Sequence, residues 1–127
     1  MQRRAERGPL ICVVDDDESV KESLPDLLRE LGYEARAFGS ALEFLDSGCL
    51  AQTDCLILDI AMPGMSGPEL HGEIVRRGQK VPVIFITAQS DRLLRATLRQ
   101  QGAVEVLFKP YSESDLRAAL DLVFPPP

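Results

Sequence analysis

Short apolar runs, each stopped by a polar residue and separated from the next by a segment of helical periodicity, recur along this chain and constrain its fold more than any other feature. Four of the runs are Leu10–Val14 before Asp15-Asp16-Asp17, residues 55–58 before Asp59, 83–86 before Thr87 and 104–108 before Lys109. Continuous apolar runs of this length read as strands buried on both faces. A weaker strand is expected over 33–38. The intervening segments, about 18–31, 40–46, 66–77, 91–101 and 112–123, read as helices. Alternation of this kind forces a parallel sheet with right-handed crossovers and helices on both faces.

The punctuation agrees. Ser40 with Glu43 and Ser66 with Glu69 form capping-box signatures, and Ser112 to Asp115 supplies a cap with an acidic first turn. Gly32, Gly78 and Gly102 stand where helices should stop. Pro68 falls in a first turn, where proline is tolerated. Pro25 falls inside a helical pattern that continues past it, so a kink is expected there. Residues 1–8 read as a flexible leader, 9–124 as one domain, and Pro125-Pro126-Pro127 as the start of a linker or a chain end.

Composition narrows the function. With 127 residues, 45% hydrophobic and 27% charged, the chain suits a single globular domain with a real core. No apolar stretch approaches the ~18 residues of a membrane span, and no signal-peptide core is present, so the expected location is cytoplasmic and no membrane partner is expected. The net charge of -6 argues against direct nucleic-acid binding by this domain, because such binding neutralises phosphates with Lys and Arg. Cys12, Cys49 and Cys55 lack metal-ligand spacing and read as reduced core thiols.

The four polar signals all fall at carboxyl ends of strands, the rim where open α/β sheets bind ligands. Carboxylates held ~4 Å apart repel by about 4 kcal/mol per pair at an effective dielectric near 20, which favours uptake of a proton or a cation. Mg2+ takes oxygen ligands and keeps several waters, so Asp15, Asp16, Asp59 and a backbone carbonyl would suffice. A free carboxylate oxygen can attack phosphorus in line, and Asp59, alone at the end of its run, is the candidate nucleophile. Lys109 offers a mobile charge and Thr87 a hydroxyl for a phosphoryl group. Asp17 and Glu18 read as favouring a helix N-terminus through its dipole. His71 reads as a surface residue, and Met62 and Met65 as loop packing.

The segments Val13-Val14-Asp15-Asp16-Asp17, Leu58 to Gly67, Thr87-Ala88 and Lys109-Pro110 resemble the receiver domain of bacterial two-component response regulators, over about residues 9–123. Thr87 to Asp91 and Gly102-Ala103-Val104 look closest to the subgroup of nitrogen-fixation transcriptional regulators. The resemblance implies a flavodoxin-like (βα)5 fold with strand order 2-1-3-4-5. It implies that Asp59 is the phosphoacceptor for the phosphohistidine of a sensor kinase, and that Asp15, Asp16, Asp59 and the Ala61 carbonyl hold Mg2+. Thr87 and Lys109 would bind the phosphoryl oxygens. Such a domain promotes only its own phosphorylation and dephosphorylation and is not an enzyme acting on other substrates. Val106 departs from the family, which usually has Tyr or Phe three residues before the lysine.

Two other readings stay open: a phosphorylation-independent interaction domain, and a haloacid-dehalogenase-type phosphatase built on Asp15-x-Asp17. Arg92, Arg95 and Arg99 share a helix face, with Leu93, Leu94, Thr97 and Leu98 expected toward the sheet. With Asp115 and Asp121 on the last helix, residues 91–123 offer a surface for a phosphorylation-promoted homodimer.

Overall fold

Five strands pair in parallel in the order β2-β1-β3-β4-β5, as expected. The computed structural model describes residues 8–89 and 91–127, so the leader expected over 1–8 lies outside the described residues except for Gly8. The strands are β1 (Leu10–Val14), β2 (Glu34–Phe38), β3 (Cys55–Asp59), β4 (Val83–Thr87) and β5 (Glu105–Phe108). They alternate with α1 (Glu18–Glu30), α2 (Ala41–Ser47), α3 (Gly67–Arg76), α4 (Arg92–Gln100) and α5 (Glu113–Val123). A short 3-10 turn, Leu50–Gln52, precedes β3 without having left a periodic signal.

The two-residue period of the strands builds two cores. Cys12, Val14, Leu56, Leu58, Val83, Phe85 and Val106 face α2, α3 and α4, where Phe44, Leu70, Ile74 and Leu98 meet them. Ile11, Val13, Cys55, Ile57, Ile84, Ile86 and Leu107 face α1 and α5, against Leu24, Leu28, Leu116 and Leu120. Each large side chain so buried contributes about 1.5–3 kcal/mol, which is why the three central strands read as unbroken apolar runs. The three cysteines are free and buried, as expected.

The caps form largely as their residue types dictate. Asp17 accepts from the Ser19 amide at the start of α1, and Asp91 from Leu93 and Leu94 at the start of α4. Ser66 and Glu69 bond reciprocally, as do Ser112 and Asp115. At α2 the box is displaced: Ser40 accepts from the Glu43 amide, but the Glu43 carboxylate takes the Gly39 N–H instead. Helix α1 runs through Pro25 as one element of 13 residues.

Three expectations need correction. His71 is half-buried rather than a surface residue: α3 turns its ring edge-on to Phe85, at a centroid distance of 5.9 Å. Burial holds its imidazole below the usual pKa. On α4, Leu93 and Thr97 point to solvent, because this helix packs through one i,i+4 stripe, Leu94 and Leu98. Arg95, expected on one helix face with Arg92 and Arg99 as part of a surface for a second copy, instead reaches back to Glu105 on β5 of its own chain.

Candidate functional site

Sheet register assembles the site. Val14 of β1 pairs with Leu58 of β3, so Asp15 and Asp59 leave adjacent strands side by side at the carboxyl rim. Asp59 and Thr87 are the last residues of β3 and β4, inside the strands rather than beyond them, and their backbones are therefore held by the ladder.

Asp15, Asp16 and Asp59 each bring a carboxylate oxygen within 4.8 Å of the others. Asp15 is 1% exposed and Asp59 9%, while Asp16 is open to solvent. Asp15 Oδ1 accepts the Asp17 amide at 2.9 Å, which ties it to the capped start of α1. Asp15 Oδ2 is buried and has no hydrogen bond among the described residues. The Lys109 ammonium stands 3.6 Å from it, close enough to attract but too far to bond. A buried carboxylate oxygen left unbonded is costly, and a hard cation with oxygen ligands would relieve it. The donor set therefore fits Mg2+.

The same crowding acts on Asp59. Burial, then the neighbouring Asp15 and Asp16 charges, push its carboxyl up to about 6, with Lys109 pulling the other way. Thr87 Oγ1 accepts the Gln89 amide at 3.0 Å, so its own hydrogen is available to a ligand. The Lys109 amide donates to the Thr87 carbonyl at 2.8 Å and joins the end of β5 to β4. The Lys109–Pro110 bond is cis. Ala61 is exposed in the loop that leaves Asp59, where only its main-chain oxygen could serve as a ligand. Met62 is buried and Met65 partly buried beneath that loop, as expected of packing residues.

Two further residues shape the site. A Cβ on Gly67 would overlap the Asp59 carbonyl oxygen and crowd Ile60, and the Gly67 amide bonds the Ile60 carbonyl at 3.0 Å. The N-terminus of α3 thus lies directly on the backbone of Asp59, an approach only glycine permits. Tyr111 is half-buried, and its phenol is pushed up by burial and by the charge of Asp15. Neither role has a local signal, because both depend on what the fold places opposite.

Taken together, the rim gathers Asp15, Asp16, Asp59 and Lys109, with Thr87 heading the next strand. It can hold a hard divalent cation and present one carboxylate to an electrophilic phosphorus.

Comparison with known proteins gives a consistent result. Residues 11–121 match the family model of the response regulator receiver domain. The chain is 40% identical over 111 residues to nodulation protein W of Bradyrhizobium diazoefficiens, covering 87% of this chain and 49% of that protein. It is 38% identical over 110 residues to the transcriptional regulatory protein FixJ of Azorhizobium caulinodans, covering 87% and 52%. The solved structure of the response regulator StyR superposes with a TM-score of 0.81 at 42% identity, covering 89% of this chain and 57% of that one. The chain thus spans about half the length of the curated relatives it matches. Among the described residues, no helix is long and apolar enough to cross a membrane.

Proposed function

The chain belongs to the response regulator receiver domain family, and from that premise we propose that it accepts a phosphoryl group on Asp59 from the phosphohistidine of a sensor kinase. The observation that carries this reading is the clustering of three carboxylates, of which Asp15 has a buried oxygen, Oδ2, without a hydrogen bond among the described residues, with Lys109 and Thr87 at the same rim.

An Asp59 carboxylate oxygen attacks phosphorus in line as the P–N bond to the donor imidazole breaks, and the imidazole leaves with the bonding electron pair. Asp15, Asp16, Asp59 and the Ala61 carbonyl would hold Mg2+, which when bound neutralises charge on the phosphoryl oxygens. Lys109 supplies a further positive charge there. The Thr87 hydroxyl, whose oxygen already accepts from Gln89, donates its hydrogen to a phosphoryl oxygen and moves toward it. Asp15 orients through its bond from the Asp17 amide.

The receiver unit is taken as residues 9–124, in the cytoplasm and without direct nucleic-acid contact. Transcriptional output would belong to a further domain of the kind that makes the relatives about twice as long. Because Arg95 is already engaged by Glu105, a phosphorylation-promoted homodimer through 91–123 would rely on Arg92 and Arg99 meeting Asp115 and Asp121.

Incubation with acetyl phosphate and Mg2+, followed by intact mass and peptide mapping, tests the reading. One phosphoryl group on Asp59, absent in Asp59→Asn, is the expected result. No adduct would favour a phosphorylation-independent domain, and multiple turnover through Asp15 a phosphatase.

A further inference from the structure

The end of the sheet opposite the carboxylate rim carries a second concavity. Helix α3, the loop that enters β4 and the turn between α4 and β5 border a cleft of about 470 Å³ at the amino-terminal edge of β4 and β5. That volume lies within the range of pockets that take small molecules. Ile74, Val81, Pro82 and Val104 form its apolar walls. Main-chain bonds fix the frame: the Gln79 amide donates to the Ile74 carbonyl at 3.2 Å, and the Val104 amide to the Val83 carbonyl at 2.8 Å. The cleft is therefore formed before anything enters it.

Two polar side chains that line it lack partners. His71 packs edge-on to Phe85, but among the described residues neither of its ring nitrogens has a hydrogen-bond partner. Gly102 stands beside that ring; a Cβ there would lie 3.7 Å from His71 Cε1, so the missing side chain leaves this side of the imidazole uncovered. Lys80 is exposed at the mouth, and among the described residues its ammonium pairs with no carboxylate. No Asp or Glu lines the cleft, although the whole chain carries a net charge of -6. An anion thus meets attraction here on a domain that otherwise repels it.

Apolar walls beside one unpaired cation suit an occupant that is apolar at one end and singly negative at the other. A flat ring suits those walls better than an alkyl chain, which has several rotors to immobilise. Burial keeps the imidazole neutral, so His71 offers a donor and an acceptor rather than a second charge.

We propose that this cleft binds an aromatic monocarboxylate of one or two rings, its carboxylate at Lys80 and its ring between Val81, Pro82 and Val104, next to His71. The site is separate from the rim and does not depend on the phosphoacceptor reading above.

Titration with 2-naphthoate, followed by proton–nitrogen correlation NMR, tests the proposal. Saturable shifts should centre on residues 71–82 and 101–104 and include the His71 ring nitrogens, with a Kd of about 0.1–1 mM, the strength of a ligand this small. Lys80 lies in an exposed loop, so its variants leave the fold intact. Lys80→Arg should bind within about twofold of wild type, Lys80→Gln roughly threefold more weakly and Lys80→Glu about tenfold more weakly. The uncharged analogue 2-naphthalenemethanol should bind wild type about as weakly as 2-naphthoate binds Lys80→Gln, and should not distinguish wild type from Lys80→Glu. No saturable shift by about 5 mM, or shifts centred elsewhere, overturns the site. Lys80→Glu binding 2-naphthoate as well as wild type overturns the carboxylate assignment, and octanoate binding as tightly as 2-naphthoate overturns the aromatic one.

Discussion

Asp59→Asn should stabilise the metal-free domain although it destroys the proposed acceptor. Crowding by burial, Asp15 and Asp16 lifts the Asp59 carboxyl from its ordinary 3.8 to about 6. The folded chain thus binds this proton more tightly than the unfolded one, so stability is lost as pH rises from about 4 to about 6 and stays low above that. A shift of that size corresponds to at most about 3 kcal/mol, and solvent near Asp16 and Lys109 reduces it to roughly 1–2 kcal/mol. Asparagine keeps the shape and removes the charge. In EDTA near pH 7.5 the urea midpoint should therefore rise by about 0.5–1 M, with unchanged slope. Near pH 4, where wild-type Asp59 is already protonated, the gain should nearly vanish. Added Mg2+ should stabilise wild type more than the variant and narrow or reverse the difference. A variant no more stable than wild type at pH 7.5 in EDTA, or a gain equal at the two pH values, would refute the electrostatic account.

Millimolar Mg2+ should raise the melting temperature of wild type, and Asp16→Ala should remove most of that rise; equal increments in both would argue against the carboxylate cluster as the cation site. Gly67→Ala should cost about 1–3 kcal/mol in denaturant titrations, because its Cβ must push α3 off the Asp59 carbonyl, and slow acetyl phosphate labelling in the fraction that remains folded. Sedimentation with beryllofluoride and Mg2+ should show a weak, salt-sensitive dimer that Arg99→Glu disrupts; a persistent monomer, or a dimer indifferent to that change, would remove residues 91–123 from the interface.

Most of the architecture is written in local pattern. Runs such as Leu10–Val14 and residues 55–58 must be strands, because they are short, apolar throughout and bounded by polar residues. The capped segments between them must be helices, and alternation then leaves little choice but a parallel sheet with a polar rim at its carboxyl edge. The candidate acidic residues were legible for the same reason, since each sits where an apolar run stops. Strand order came from family resemblance, because one-dimensional pattern does not say which strands are neighbours. What only tertiary structure decided is whatever depends on the partner across a contact. Asp15 Oδ2 is orphaned because β1 and β3 pair in one register; His71 is half-buried because α3 presents it to Phe85; Gly67 is required because α3 begins on the Asp59 carbonyl. The rotation of α4 that leaves Leu93 in solvent and closes Arg95 on Glu105 belongs to the same class. Periodicity marks a stripe of arginines and leucines on a helix, but the direction in which that stripe turns is set by the surface it lands on.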